Sequence, residues 1–471
     1  MMISGTTLGP EVLLELAQDR QLPLHRQLTD QLRDMIRSGR LGPESRLPST
    51  RVLAADLGVS RRLVVDSYGQ LIAEGFLVSR HGSGTRVARI DPVGQPPEAA
   101  SDTRPRFDVD FTSGTPDVGS FPRAAWLRAL RQGLAAAPRD VLGYGTPKGL
   151  ATTRAALSDY LGRTRAVLAD PERIVICSGV TQAVSVLAQV LRRTGRTPVA
   201  VEDPGFAPHR TILRHNATQT VGVPVDHDGL DVERLAASSA RAALTTPAHQ
   251  SPTGVVLAAA RRAELMQWAR AGNLILEDDY DAEYRYDRAP VGALQGIAPD
   301  RVIYLGSASK TLAPGLRLGW MVLPPDLVGA ATLAKGLADG GNSVMDQLAF
   351  TALLTSGDYD RHLRQMRRRY VGRRNTMLRA LAQHFPQATV LGAAAGVQLT
   401  VRFQPEYPIH ELIANAAARR VRVEPLAASY LDPGAAPPGL ILGYANLSES
   451  QILAGIRLLA GALPAEHQHV T

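Results

Sequence analysis

The chain holds 52 basic residues, yet only Lys148, Lys310 and Lys335 are lysines. Arginine serves wherever charge alone is needed, and it cannot replace an amine that must shed its proton. Each lysine is therefore a candidate for chemistry. Lys310 is set apart by its context, YLGSASKTLAPGLRLGW. It follows an apolar run, where desolvation lowers an ammonium pKa and readies the amine to form a Schiff base. Ser307 and Ser309 offer hydroxyls beside it, and Arg317, further along the same stretch, can close over a phosphate.

Other clusters suit the same chemistry. In CSGVTQAV a strand ends at Ser178 and Gly179 and a helix begins. Backbone N–H groups at such a turn, with the helix dipole, make a phosphate cradle. In LEDDYDAEYRY, Asp278 closes a strand, where a carboxylate can hold a pyridine nitrogen protonated and make the ring an electron sink. Tyr280 can bond a phenolic oxygen of that ring, and Phe206 in EDPGF can stack on its face. Taken singly these are ordinary features: a surface lysine, a solvated acidic loop, a core aromatic. Together, each at a strand end, they suit the parts of one cofactor, pyridoxal 5'-phosphate. Metal chemistry has no comparable signature, because the single cysteine, Cys177, excludes a cysteine-based zinc site and any internal disulfide.

A second constellation lies near the amino terminus. Arg61 and Arg62 open a helical stretch on the face opposite Val64 and Leu71, and Arg51 on the preceding helix points the same way. Arginine is the commonest reader of guanine edges and a common phosphate contact. Ser60, at that helix start, adds a phosphate-binding N-terminus. From Arg46 to Arg89 seven arginines face three acids, Asp56, Asp66 and Glu74. The spacing and charge suit double-stranded DNA.

The elements that must position these groups are legible as patterns. Leu24, Leu28, Leu32, Met35 and Ile36 share one helical face, with Gly39 and Gly42 at its end. Ser49 and Ser60 can cap two further helices, the second with Val64, Tyr68, Leu71 and Ile72 inward. FLVSRHGSGTRV then reads as two strands around a glycine-rich turn. After a proline-rich stretch, RIVICSG, TPVAVED, AALTTPA, LILEDDY and RVIYLGSASK read as buried strands alternating with helices. That alternation implies a mostly parallel sheet with ligands at the strands' carboxyl ends. The expected organisation is an extension over 1–21, a DNA-binding domain over 22–89, a linker over 90–106 and a large α/β domain over 107–471. The net charge of +8 and 45% hydrophobic content are those of a globular chain. No apolar run reaches a membrane-spanning length and no secretion signal is visible, so a cytoplasmic location is expected.

Residues 22–88 resemble the winged helix-turn-helix of GntR-type transcription regulators, on the stretch RLPSTRVLAADLGVSRRLVVDSYGQLIAEGFLVSRHGSGTRV. The resemblance implies DNA contacts at Arg51, Ser60, Arg61, Arg62, His81 and Gly82, with Val65 where some members of the wider family carry another arginine. The order YGTPKG, SGVTQA, EDPGF, TPAHQSPTG, EDDYD, SASKTLAPGLRLGW is similar to that of fold-type I aminotransferases. TPAHQSPTG and EDDYD are particularly like the MocR subfamily of GntR-type regulators, which fuses the two parts. It implies Lys310 as the internal-aldimine lysine, Asp278 at the pyridine nitrogen, Tyr280 at the phenolic oxygen and Phe206 as the stacking ring. It places the phosphate with Gly179, Val180, Thr181, Ser307, Ser309 and Arg317, and implies that Tyr144 reaches it from the other subunit of a homodimer. His249 and Gln250 belong to the subfamily's own motif without an assigned role.

One departure bears on the ligand. The arginine that grips a substrate carboxylate in aminotransferases falls on Ile441 here; Arg210, Arg214 and Arg422 are the substitutes at hand. The expected function is a transcription regulator whose operator binding responds to pyridoxal phosphate or its adduct with an amine or amino acid effector. Control of vitamin B6 or of amine and amino acid metabolism would follow, without physiological turnover. The alternative is a working aminotransferase with an appended DNA-binding domain.

Overall fold

The computed structural model describes residues 2–7, 13–17, 22–80, 84–89, 107–287 and 291–462. The chain forms two compact units, Met1–Pro105 and Arg106–Thr471. His81, Gly82 and the stretch 90–106 lie outside the described residues.

The first unit opens with an antiparallel pair, β1 (Met2–Thr7) and β2 (Leu13–Ala17). Three helices follow: α1 (Leu24–Arg37), α2 (Thr50–Asp56) and α3 (Arg61–Ala73). Leu28, Leu32, Met35 and Ile36 of α1 meet Leu53 of α2 and Val64, Tyr68 and Leu71 of α3 in one core. Leu14 and Leu16 of β2 enter the same core. Two side-chain amides of α1 pair with the backbone of β2: Gln27 with Ala17 and Gln31 with Glu15, each both accepting and donating. Ser49 and Ser60 accept from Val52 and Leu63 N–H, as N-caps do. Ile72, expected inside, is exposed, because it follows buried Leu71 by one helical step of about 100° and so turns away from α1. The wing is the antiparallel pair β3 (Leu77–Arg80) and β4 (Gly84–Val87), anchored by buried Leu77 and Val87.

The second unit begins with β5 (Val109–Asp110), α4 (Arg123–Ala136) and α5 (Ala151–Arg165), then β6 (Ile174–Cys177), α6 (Val180–Arg193), β7 (Val199–Asp203) and α7 (Ala207–His215). It continues through β8 (Thr220–Asp226), β9 (Gly229–Leu230), α8 (Val232–Ala237), β10 (Ala242–Thr245), α9 (Ala259–Arg270), β11 (Leu274–Asp278), β12 (Val302–Ser307) and β13 (Gly319–Val322). Helices α10 (Pro325–Asp339), α11 (Val344–Ser356) and α12 (Asp358–His384) lead to β14 (Thr389–Leu391), β15 (Gln398–Arg402), α13 (Ile409–Ala418), β16 (Val421–Arg422), β17 (Glu424–Pro425), β18 (Gly439–Gly443) and α14 (Glu449–Ala460).

The large sheet runs β6-β13-β12-β11-β10-β7-β8-β9. Its centre is parallel, as short strands buried on both faces require. β13 is antiparallel to both neighbours, so β6 and β12 on either side of it point the same way. The carboxyl ends of β6, β7, β10, β11 and β12 therefore open on one edge. A smaller antiparallel sheet, β14-β15-β18-β17, shares a core with α12 and α14. No helix of the described residues is long and apolar enough to cross a membrane.

Candidate functional site

Two of the three lysines are committed to ion pairs. Lys148 Nζ lies 2.7 Å from Glu172, and buried Lys335 Nζ lies 2.7 Å from Asp339. Lys310, in the turn after β12, donates instead to the carbonyl of Gly114, 2.5 Å away. Among the described residues it forms no ion pair. Burial pulls its ammonium below the ordinary lysine value, against the opposing charges of Asp281, Asp278 and Glu424. Gly114 has φ +69°, and a Cβ there would stand 2.8 Å from the amine nitrogen. Only glycine lets this loop approach so closely.

Asp278 closes β11 and is 6% exposed. Among the described residues its buried Oδ1 has no hydrogen-bond partner, and its Oδ2 lies 3.4 Å from His209 Nε2. Burial, reinforced by the charge of Asp279, pushes this carboxyl up to about 8. Burial also drives the His209 imidazole down to about 4, so it is neutral beside the carboxyl at pH 7. Phe206 caps α7 and packs edge-on against His209, with ring centroids 4.9 Å apart. His209 was not singled out from sequence; its spacing from Phe206, one turn along a helix at a strand end, was the available signal.

Tyr280 and His249 meet behind this carboxyl. His249 Nδ1 lies 2.9 Å from Asp281 Oδ2 and 3.0 Å from the Tyr280 hydroxyl. A proton on Nδ1 is donated to Asp281, and the Tyr280 hydroxyl lies against the same imidazole and carboxylate. Burial holds the Tyr280 phenol well above its ordinary value, so it stays protonated. His249 is thus placed between Asp281 and Tyr280, a contact that spacing did not supply. Gln250 braces the turn behind, donating to Glu202 and to the carbonyl of Pro204. The DDYD segment is fixed from the other side: Arg165 grips Asp279 with two nitrogens, at 2.6 and 3.0 Å, and Tyr304 donates to the same carboxylate.

The turn after β6 has the shape of an anion cradle. Gly179 has φ +81°, and its missing Cβ faces the Arg317 guanidinium at 3.3 Å. Arg317 donates to the Ser178 carbonyl. Val180 and Thr181 begin α6, with first-turn N–H groups at the positive end of the helix dipole. Ser307, buried at the end of β12, accepts from Ser309 N–H. Tyr144 is fully exposed, on the loop beside Gly340–Asn342, and among the described residues makes no bond to Lys310, Asp278 or Arg317.

The structure answers the question of a substitute carboxylate grip. Arg210 is buried, and its guanidinium donates to the carbonyls of Gly205, Ser429, Ala428 and Tyr430. Arg422 faces Asp110 at 3.8 Å, and Arg214 is exposed on α7. Ile441, on β18, pairs with Thr400 on one side and Glu424 on the other.

These residues fit pyridoxal phosphate on their own chemistry. Among the described residues they comprise an amine without an ion pair, a buried carboxyl oxygen lacking a partner, and a glycine turn whose missing Cβ faces a guanidinium. In the first unit, Arg51, Ser60, Arg61 and Arg62 are on the surface; Arg62 is 91% exposed, and Arg61 Nε approaches the Thr50 hydroxyl at 3.5 Å.

Fold and site together define a class: a helix-turn-helix module joined to an aminotransferase-like α/β domain. Residues 24–87 match the model for bacterial regulatory proteins of the gntR family, and residues 108–452 that for aminotransferase class I and II. The chain is 34% identical over 480 residues, 96% of each chain, to the probable rhizopine catabolism regulatory protein MocR of Rhizobium meliloti. It is 31% identical over 431 residues to the pyridoxine biosynthesis transcriptional regulator PdxR of Corynebacterium glutamicum, covering 90% of this chain and 93% of that one. Among solved structures it is similar to the kynurenine aminotransferase of Pyrococcus horikoshii, in complex with PMP (TM-score 0.70, 27% identity, 76% of this chain and 91% of that one). It is also similar to the α-aminoadipate aminotransferase LysN of Thermus thermophilus, complexed with N-(5'-phosphopyridoxyl)-L-leucine (TM-score 0.68, 25% identity, 75% and 92%). The chain belongs to the MocR-type transcription regulators, in which a GntR DNA-binding domain is fused to a fold-type I aminotransferase-like domain.

Proposed function

We propose that this regulator binds pyridoxal 5'-phosphate at Lys310 and that its operator binding responds to that cofactor, alone or joined to an amine. The observation that carries the reading is the buried Oδ1 of Asp278, on the same strand-end surface as Lys310: among the described residues the one has no hydrogen-bond partner and the other no ion pair. When bound, the cofactor supplies an aldehyde that a primary amine can join and a ring that withdraws electrons. Asp278 would accept from the ring nitrogen, with neutral His209 steadying its second oxygen. Tyr280, held by His249 and Asp281, would donate to the phenolic oxygen, and Phe206 would cover the ring. Gly179, Val180, Thr181, Ser307, Ser309 and Arg317 would hold the phosphate.

On DNA, Arg51, Ser60, Arg61 and Arg62 form the exposed reading face, and the ligand acts through its differential affinity for two states of the protein. Turnover is not the output of this site, because Ile441 stands where a carboxylate grip belongs and Arg210 is engaged by carbonyls. Steady-state transamination above about 1 per second, the low end for enzymes, would overturn that point. A homodimer fits the fully exposed Tyr144 and the outward Leu333 and Leu337 of α10.

The test measures binding of the purified protein to DNA upstream of its own and neighbouring genes, with and without pyridoxal phosphate at constant salt. A cofactor-dependent change in affinity is expected. Borohydride reduction followed by peptide mass analysis should locate the cofactor on Lys310, and its absence there would end this reading.

A further inference from the structure

We infer that the ligand side of the Lys310 site selects an amine that carries a second positive charge, and that Glu424 is the selecting group. The inference rests on the reading that pyridoxal phosphate is held at Lys310.

Glu424 lies on β17 directly across from Ile441 on β18. The residue that replaces the expected carboxylate-gripping arginine is therefore apolar, and its cross-strand neighbour is a carboxylate. Glu424 Oε2 accepts from Ser113 N–H at 3.1 Å, and the next residue, Gly114, accepts from Lys310 Nζ at 2.5 Å. Adjacent residues of one loop thus tie the carboxylate and the amine to the same short stretch of backbone. Close approach of that stretch to the amine is permitted by Gly114, with its positive φ and no Cβ.

Three acids stand close enough to act on Lys310: Asp281, Asp278, whose carboxyl burial raises toward its neutral form, and Glu424. Two of them are accounted for by the site already described. Asp281 is bonded by His249, and the partnerless, 6% exposed Oδ1 of Asp278 is the mark of a ligand atom in this same site. Glu424 is left with a backbone N–H and, among the described residues, no ion pair. The arginines of the surrounding elements are turned elsewhere: Arg210 to four carbonyls, Arg373 to Asp117 and Arg317 to the Ser178 carbonyl. A carboxylate entering here would meet Ile441 and the charge of Glu424 in a partly desolvated space, where like charges repel far more than in water. A second ammonium would meet an unpaired carboxylate.

The experiment uses the full-length protein loaded with pyridoxal phosphate, titrated at fixed pH and salt with 1,4-diaminobutane, 1-aminobutane, 4-aminobutanoate and alanine. Binding is followed by the absorbance of the bound cofactor. The diamine should half-saturate at a concentration on the order of tenfold or more below 4-aminobutanoate, with 1-aminobutane between them. Glu424→Gln keeps an acceptor for Ser113 N–H and removes the charge, so the diamine should fall to the level of the monoamine. Ile441→Arg should move the preference toward 4-aminobutanoate. The inference is overturned if 4-aminobutanoate or alanine binds the wild type as well as the diamine does, or if Glu424→Gln leaves the ranking unchanged. A protein that takes up no cofactor at all overturns the underlying reading of Lys310 and this inference with it, a result visible before any amine is added.

Discussion

In the ligand-free protein, Asp278 should make stability fall as pH rises, and Asp278→Asn should remove that dependence. The carboxyl ionises at 3.8 when unperturbed and is pushed up to about 8 in the fold, because burial opposes the charge and Asp279 stands close by. The folded-state value is raised, so between those limits the folded chain binds one proton that the unfolded chain has released. Stability then declines by about 1.4 kcal/mol per pH unit from this group alone. The neighbouring carboxyls Glu277 and Glu283, each pushed up to about 7 by burial, slope the same way, but they are present in both proteins and cancel in the comparison. Between pH 5.5 and 7.5 the variant should therefore gain about 2.7 kcal/mol on the wild type. Urea unfolding at several pH values, with equal m-values, reads this difference. Saturating pyridoxal phosphate should flatten the wild-type slope, since a protonated ring nitrogen lets the carboxyl ionise in place, and it should leave the variant's slope alone. A difference between the two ligand-free proteins that does not change with pH would refute the reasoning, because it would mean that the carboxyl is already ionised and paired.

Replacing Arg61 and Arg62 together with alanine should abolish sequence-specific operator binding while leaving the cofactor absorbance intact; an unchanged footprint at the same salt would show that α3 is not the reading helix. Arg210→Met should lower stability by about 3 kcal/mol in urea unfolding, because it leaves four carbonyls of the Phe206 turn and the 428–430 loop without their charged donor. Leu337→Asp, on the exposed face of α10, should shift the protein toward monomer in sedimentation at micromolar concentration, and an unchanged mass would remove this face from the interface. His249→Gln should weaken cofactor uptake without unfolding the domain; equal uptake would show that the Asp281–His249–Tyr280 contact does not position the phenol.

Much of the architecture was readable in one dimension because it depends on local period and local stereochemistry. Five apolar runs became β6, β7, β10, β11 and β12, since a strand buried on both faces needs only a continuous apolar stretch. Ser49 and Ser60 cap their helices as spacing predicts. The candidate site was legible at strand ends, where Gly179, Phe206, Asp278 and Lys310 fall, because crossover connections bring those ends to one edge.

What the residues alone determined is the inventory: a rare lysine after an apolar strand, an acid closing another, a glycine turn opening a helix, and an arginine-bearing helix behind a serine cap. What only the tertiary structure decided is which of these groups is already spoken for. Lys148 and Lys335 are absorbed by Glu172 and Asp339, Arg210 by carbonyls from a loop more than two hundred residues away, and His249 by Asp281. Glu424, silent in the sequence, is placed across from Ile441 by the pairing of β17 with β18. Partnership and burial are properties of contacts between distant segments, so no local pattern can encode them, and they decide which charges remain free to meet a ligand.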